Sequence, residues 1–165
     1  NHYSHRLSGD VPKDWFNKRI DWVELNREIS SDKKFYSIIY QKSDSNLNDC
    51  LNKLNEFIDE NNLYFSYLSR AEIYKKKKEY DSSVIDLSKA ISIDSSIFNG
   101  YFNRANIYFL KKSFQNSKAD FFKSFQLNPK SPEAALKIGA CFANMNERDS
   151  AITYYDKALK IKPNF

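Results

Sequence analysis

Several residue types on which common enzyme chemistry depends are scarce in this chain of 165 residues. Its three glycines are too few and too far apart to form the glycine-rich loop that cradles a nucleotide phosphate. Its two histidines, His2 and His5, stand at the amino-terminal end, and no third metal ligand lies near them. We therefore predict a protein that is not an enzyme and that holds no metal ion and no cofactor.

Cysteine and long apolar runs are scarce as well. The two cysteines, Cys50 and Cys141, form no Cys-x-x-Cys pair, and both fall inside predicted helices. The sequence contains no Asn-x-Ser/Thr acceptor for glycans and no apolar run long enough to span a membrane. These absences favour a reducing compartment, so we expect a cytoplasmic protein without a membrane-inserted segment.

Acidic residues are scarce in one part of the chain only. The formal net charge is +5, from 26 basic and 21 acidic side chains. Residues 98–131 carry six of the basic and one of the acidic side chains, so the whole excess lies in this stretch. The total is modest for a protein that binds nucleic-acid phosphates.

The feature that organises the chain is an internal repeat. Three windows of equal length follow one another without gaps: 64–97, 98–131 and 132–165. The first two windows are identical at ten of their positions, whereas ordinary residue usage gives about 2 or 3. A period of about 34 residues is typical of a solenoid, in which stacked units complete one another's apolar core. The repeat therefore predicts a binding scaffold.

Apolar residues within the windows are spaced three and four apart, as on one face of a helix. In the second window they form two such runs, which are separated by the polar stretch Lys111 to Ser113 and closed by Asn128-Pro129. Each window is therefore predicted to be a pair of antiparallel helices. Ala71, Ala105 and Gly139 stand at the same place in the three windows, and their small size predicts the points where the two helices come closest.

The part of the chain before the windows, residues 1–63, is less regular. Residues 1–31 are predicted to form an arm and then a helix from Pro12 to about Ile29, which caps the first repeat or continues an earlier solenoid. Residues 32–63 have the apolar spacing of a degenerate helix pair, whose second helix contains Cys50 and Leu54. We expect one continuous solenoid domain that includes this part and the three windows.

The repeated residues resemble the pattern of the tetratricopeptide repeat (TPR) family, in which large and small residues occupy fixed places and a proline closes the unit. The second window matches with Tyr101, Ala105, Tyr108, Ser117, Phe121, Ser124 and Pro129, and the third with Leu136, Gly139, Phe142, Ala151, Tyr155, Ala158 and Pro163. Ser95 and Ala135 depart from the pattern. The resemblance implies an all-α, right-handed superhelical solenoid of antiparallel helix pairs.

The resemblance also implies a function and a site. In TPR proteins the first helices of successive repeats line a concave groove that holds an extended peptide or a partner helix. We therefore expect a protein-protein interaction scaffold without a small-molecule substrate. Carried onto this chain, the groove consists of Leu68, Ser69, Glu72, Lys76, Asn99, Phe102, Asn103, Asn106, Leu110, Lys137 and Asn144. Its asparagines are able to hydrogen-bond a peptide backbone without reading its sequence, and a solvated polar face is the alternative.

Two other kinds of partner are weighed against a peptide in the groove. The TPR subgroup that grips the carboxylate tail of heat-shock chaperones needs lysine, asparagine and arginine at places where this chain has residues such as Leu68, Glu72 and Glu133. That partner is therefore disfavoured. The second candidate partner is RNA, in which case this chain is an RNA-associated helical-repeat protein that uses the basic second window. However, packing already accounts for Tyr101 and much of the aromatic content. Nucleic acid is thus less expected than a protein.

The end of the third window is the last feature of note. No polar helix follows to cover Ile152, Tyr155 and Leu159, although repeat arrays normally need such a cap. We expect either that the parent protein continues or that this end meets a partner end to end.

Overall fold

The computed structural model describes residues 47–164, and the arm, the capping helix and the first helix of the degenerate pair predicted above lie outside the described residues. Seven helices occupy the described part: α1 (Leu47–Asn61), α2 (Tyr64–Lys76), α3 (Tyr80–Ile93), α4 (Phe98–Leu110), α5 (Phe114–Leu127), α6 (Pro132–Asn144) and α7 (Arg148–Ile161). No strand occurs in residues 47–164, and each helix packs chiefly against its neighbours in sequence. The predicted all-α solenoid is confirmed.

The helix boundaries follow from local chemistry. α6 begins at Pro132, where the missing N–H of proline is not needed, and the Ser131 hydroxyl accepts a hydrogen bond of 3.1 Å from the N–H of Ala134. α5 ends at Leu127, directly before Asn128-Pro129, as the sequence predicts. Helices of 13 and 14 residues alternate from α2 to α7, so equivalent side chains recur once in every helix pair.

The turns that join the first and second helices of the three pairs share one strained conformation. Lys78, Lys112 and Asn146 have φ angles of 62°, 59° and 63°, in the left-handed region. In the second pair the N–H of Ser113 donates to the carbonyl of Tyr108 at 2.8 Å, which closes a Schellman-type turn. Glycine usually occupies the left-handed place in such a turn because it has no Cβ.

The strain at these turns predicts a stabilising substitution. We expect Lys112→Gly to raise the free energy of unfolding by about 0.5–1 kcal/mol, because relief of the left-handed strain outweighs the extra entropy that glycine gives the unfolded chain. The matched control is Lys123→Gly in the interior of α5, which should lower stability by about 1 kcal/mol. Urea unfolding followed by circular dichroism measures both. A loss of stability in Lys112→Gly would contradict the strain argument.

Within each pair the two helices meet at the predicted small residues. Ala71 and Ala105 are fully buried. The hydroxyl of Ser83 donates to the carbonyl of Ala71 at 2.9 Å, and the hydroxyl of Ser117 donates to the carbonyl of Ala105 at 2.8 Å. These bonds join a side chain of the second helix to the backbone of the first, so the helices approach closely only where the first has a small residue.

The core continues from one pair to the next through equivalent apolar positions. Cys141 takes the place that Ile73 and Ile107 hold in the earlier pairs, and all three are buried, as predicted. Burial raises the pKa of the Cys141 thiol, so this side chain stays neutral and acts as a small apolar residue. The core therefore uses this cysteine for packing.

Candidate functional site

The structure places every residue of the predicted groove on the first helix of a pair. α2 carries Leu68, Ser69, Glu72 and Lys76; α4 carries Asn99, Phe102, Asn103, Asn106 and Leu110; α6 carries Lys137 and Asn144. We call the surface formed by these residues and Leu136 of α6 the groove face.

Four residues of the groove face come together around one recess. It lies between α2, α3 and α4 and has a volume of about 230 Å³ that is open to solvent. Its lining consists of Leu68, Ala71, Glu72, Lys75, Ser83, Leu87, Asn103, Asn106 and Ile107. Most of this volume is open solvent, and only about 10 Å³ of it is enclosed, which is room for about one water molecule. The recess is therefore a notch in a longer surface, and the other predicted residues do not line it.

The charged groups of the groove face lie at its two ends. Lys75, which the sequence analysis did not include in the groove, forms an ion pair of 2.6 Å with Glu72, and its place three residues further along the helix is the sequence feature that allows this pair. The ammonium of Lys137 lies 5.6 Å from the centre of the Phe109 ring. Between these ends the α4 part of the face consists of amides and apolar side chains and carries no ionised group.

The amides of the groove face are partly occupied by their own helices. Asn106 donates from Nδ2 to the carbonyl of Phe102 at 3.0 Å, and Asn144 donates to the carbonyl of Ala140 at 2.8 Å. Each of these bonds leaves one N–H and the side-chain oxygen for a partner. Within residues 47–164 the side chain of Asn103 has no hydrogen-bond partner. The row of asparagines thus offers fewer donors than its sequence suggests.

Apolar side chains on the groove face remain open to water. Leu110 is 52% exposed and Leu136 is 37% exposed, and the core does not cover either of them. Leu68 and Phe102, which precede Leu136 by two repeats and one repeat, are half-buried. Phe102 is held in place because its ring stacks on Phe98 at 5.3 Å between ring centres. Leu110 stands at a different place in the repeat, where the other two repeats have Lys76 and Asn144. The exposed apolar part of the groove face therefore consists of two separate leucines, one on α4 and one on α6.

Two arginine-aspartate pairs, which the sequence analysis did not predict, each join the two helices of one helix pair. Arg70 donates two hydrogen bonds to Asp86, at 2.8 and 2.7 Å, and Arg104 donates two to Asp120, at 2.7 and 2.9 Å. These bonds raise the pKa of both guanidinium groups. Arg104 also donates to Ser88 on the preceding helix α3 at 2.9 Å. The sequence feature that could have indicated these pairs is that windows 64–97 and 98–131 have the same arginine and the same aspartate at equivalent positions.

Basic residues of the second repeat do not gather into one patch. Arg104 is paired with Asp120, and Lys111 is paired with Asp81 of the preceding repeat. Lys118 lies 3.8 Å from a carboxylate oxygen of Glu147. Lys112, Lys123 and Lys130 are spread from one end of α5 to the other, over a helix about 20 Å long. A phosphate backbone needs a continuous row of cations. The arrangement does not favour the RNA alternative.

The same part of the chain offers neither a metal-binding cluster nor a membrane-spanning helix. Residues 47–164 contain no group of three or more potential metal ligands, and His2 and His5 lie outside the described residues. None of the seven helices described is both long and apolar enough to cross a bilayer.

The fold and the face together define a helical-repeat protein of the class that serves as a scaffold for other proteins. The model of the tetratricopeptide repeat family matches the chain over residues 66–97, 98–131 and 132–165, which is more than half of its length. The chain belongs to the tetratricopeptide repeat family. No curated protein sequence matches it.

Solved structures of other TPR proteins share the fold. A crystal structure of MamA is 19% identical, with a TM-score of 0.69, over 71% of this chain and 69% of that one. MamA from residue 41 onward, from Desulfovibrio magneticus, is 10% identical, with a TM-score of 0.73, over 81% and 76%. The first TPR of Spaghetti (RPAP3), bound to the HSP90 peptide SRMEEVD, is 24% identical, with a TM-score of 0.60, over 62% and 81%. At these identities the likeness concerns the fold alone.

Proposed function

We propose that this protein is a non-catalytic scaffold and that a segment of a partner protein binds along its groove face. The observation that carries this proposal is the row of exposed side chains on α2, α4 and α6, above all Leu110 and Leu136, which the core leaves uncovered. Membership of the TPR family supports it. Side chains exposed on the first helices of successive repeats are available to one long ligand.

A capture experiment tests this proposal. The purified chain serves as bait in a lysate of its source, next to the double variant Leu110→Asp/Leu136→Asp. The matched control is Ile85→Asp/Ile93→Asp on the second helix α3, where the replaced side chains are 68% and 38% exposed. We expect a partner that the control retains and the groove variant loses, because an aspartate in an apolar contact is desolvated without a counter-ion. Equal capture by both variants would exclude the groove face.

The outer surface of α7 is a second place where we propose a contact. Ile152 and Leu159 are 58% and 49% exposed and stand two turns apart on one face of this helix. In the earlier repeats the equivalent face is covered by the next pair. We expect end-to-end association that increases with concentration and is abolished by Ile152→Asp/Leu159→Asp. Sedimentation velocity measures it, and a wild-type chain that stays monomeric at high concentration would contradict it.

A further inference from the structure

A basic edge forms where the turn inside the first helix pair lies beside the turn inside the second. The two turns consist of residues 77–79 and 111–113. Lys111 of the second turn forms an ion pair with Asp81, which stands three residues after Lys78, so a direct contact holds the two turns next to each other. We call the surface formed by residues 77–81 and 111–113 the turn edge. None of its residues belongs to the groove face.

The charges of the turn edge are not balanced. It carries four lysines and two carboxylates. Lys77 forms an ion pair of 2.9 Å with Glu79, and Lys111 is engaged with its aspartate. Lys78 and Lys112 are exposed, and within residues 47–164 neither side chain has an ion pair or a hydrogen bond. Two ammonium groups on neighbouring turns are therefore available to an anionic ligand.

The backbone at Lys78 and Lys112 indicates that these two charges are used. Both residues have the left-handed conformation, with φ angles of 62° and 59°, in which glycine or asparagine is usual. The third pair has Asn146 at the equivalent place, so the solenoid accepts a residue that suits the conformation. A residue that breaks a local rule without any bond that rewards it within the fold marks a candidate functional site.

The surroundings of the two lysines favour the carboxylates of a protein over phosphates. Single-stranded nucleic acid gains affinity by stacking its bases on open aromatic rings. The rings that follow the turns, Tyr80 and Phe114, are packed against the core and against Phe109. Residues 77–79 and 111–113 contain no apolar side chain that could enter a bilayer. A lysine ammonium on its flexible stem pairs with a carboxylate without a fixed geometry.

We propose that the turn edge of this protein binds an acidic segment of a partner protein, whose carboxylates pair with Lys78 and Lys112. The segment lies across the first two helix pairs, because the third turn offers Asn146 and the carboxylate of Glu147 instead of a free cation. The contact is at the surface, so it weakens as the salt concentration rises. It is independent of the function proposed for the groove face.

A labelled oligoglutamate peptide tests this inference, with an uncharged glycine-serine peptide of the same length as the control ligand. Fluorescence anisotropy measures its binding to the full chain at low and at physiological salt. We expect Lys78→Gln/Lys112→Gln to bind the oligoglutamate about fivefold more weakly, as for the loss of two exposed ion pairs. The matched control Lys89→Gln/Lys123→Gln removes the same two charges from exposed places on α3 and α5 and should bind nearly as the wild type does.

A glycine variant separates the role of charge from that of conformation. Lys78→Gly/Lys112→Gly should bind the oligoglutamate as weakly as the glutamine variant does. It should nevertheless unfold at a higher urea concentration than the wild type, because glycine suits the left-handed turn. Binding as strong as that of the wild type would show that these lysines do not hold the ligand, and it would overturn the inference.

Three other outcomes would overturn it as well. Equal losses of affinity in Lys78→Gln/Lys112→Gln and in the control Lys89→Gln/Lys123→Gln would mean that binding follows the total charge. The second outcome is a wild-type chain that does not bind the oligoglutamate at low salt. The third is tighter binding of phosphatidylserine vesicles or of single-stranded RNA through the same lysines, which would replace the acidic protein segment by a phosphate ligand. The capture experiment with Leu110 and Leu136 tests the groove face separately.

Discussion

Asp120→Ala is expected to lower the free energy of unfolding by about 3 kcal/mol, because it leaves the guanidinium of Arg104 without its carboxylate partner. Asp120 lies on α5, is almost fully buried and accepts two hydrogen bonds from Arg104, at 2.7 and 2.9 Å. The guanidinium carbon of Arg104 lies 5.8 Å from the centre of the Tyr101 ring, so the cation is beside an aromatic face rather than in open water. Arg104→Ile should cost a similar amount because it leaves the buried carboxylate unpaired.

The third repeat supplies the control for this prediction. Ile138 and Tyr154 occupy there the places that Arg104 and Asp120 hold in the second repeat, so the same scaffold tolerates an apolar pair. We therefore expect the double variant Arg104→Ile/Asp120→Tyr to be more stable than Arg104→Ile alone or Asp120→Tyr alone, since it removes both charges at once. Urea unfolding of the four proteins gives the coupling energy. Losses that simply add would show that the two side chains do not act as a pair.

The second large effect is expected at the closest approach of α6 and α7. A Cβ on Gly139 would lie 2.6 Å from Cε1 of the Tyr155 ring and 3.1 Å from the backbone oxygen of Ala151. A rigid ring and a backbone atom cannot both move aside cheaply, so Gly139→Ala should lower the free energy of unfolding by about 2 kcal/mol. This loss exceeds the gain of about 1 kcal/mol that alanine brings to a helix.

Gly100→Ala is the matched comparison for Gly139→Ala. Gly100 also lies inside a first helix, but the nearest atom to its added Cβ is Cγ1 of Ile91, at 2.8 Å, in a side chain that is able to rotate. We expect a change of less than about 1 kcal/mol there, because the gain in helix propensity offsets the adjustment. Thermal melts of both variants measure the difference. A Gly139→Ala variant as stable as the wild type would mean that α7 shifts without cost.

The sequence predicted on which helix each residue of the candidate site lies. The spacing of Leu68, Phe102 and Leu110 put them on the first helices from sequence alone, since a regular repeat fixes equivalent positions in successive pairs. The polar partners on the groove face were less predictable. The three-residue spacing allows Lys75 to pair with Glu72, but whether this pair forms, or whether Asn106 bonds the carbonyl of Phe102, depends on rotamers that several interactions of similar energy compete to set.

The sequence by itself determined the helical class of this protein, the repeat unit and the small residues at Ala71, Ala105 and Gly139, because these follow from local spacing and from side-chain volume. Only the tertiary structure decided that Arg104 joins Asp120 and Ser88, and that the cations of the second repeat are dispersed. The physical reason is that ion pairs and exposed surfaces join residues distant in the chain. Their energies depend on desolvation and geometry, which a linear pattern does not contain.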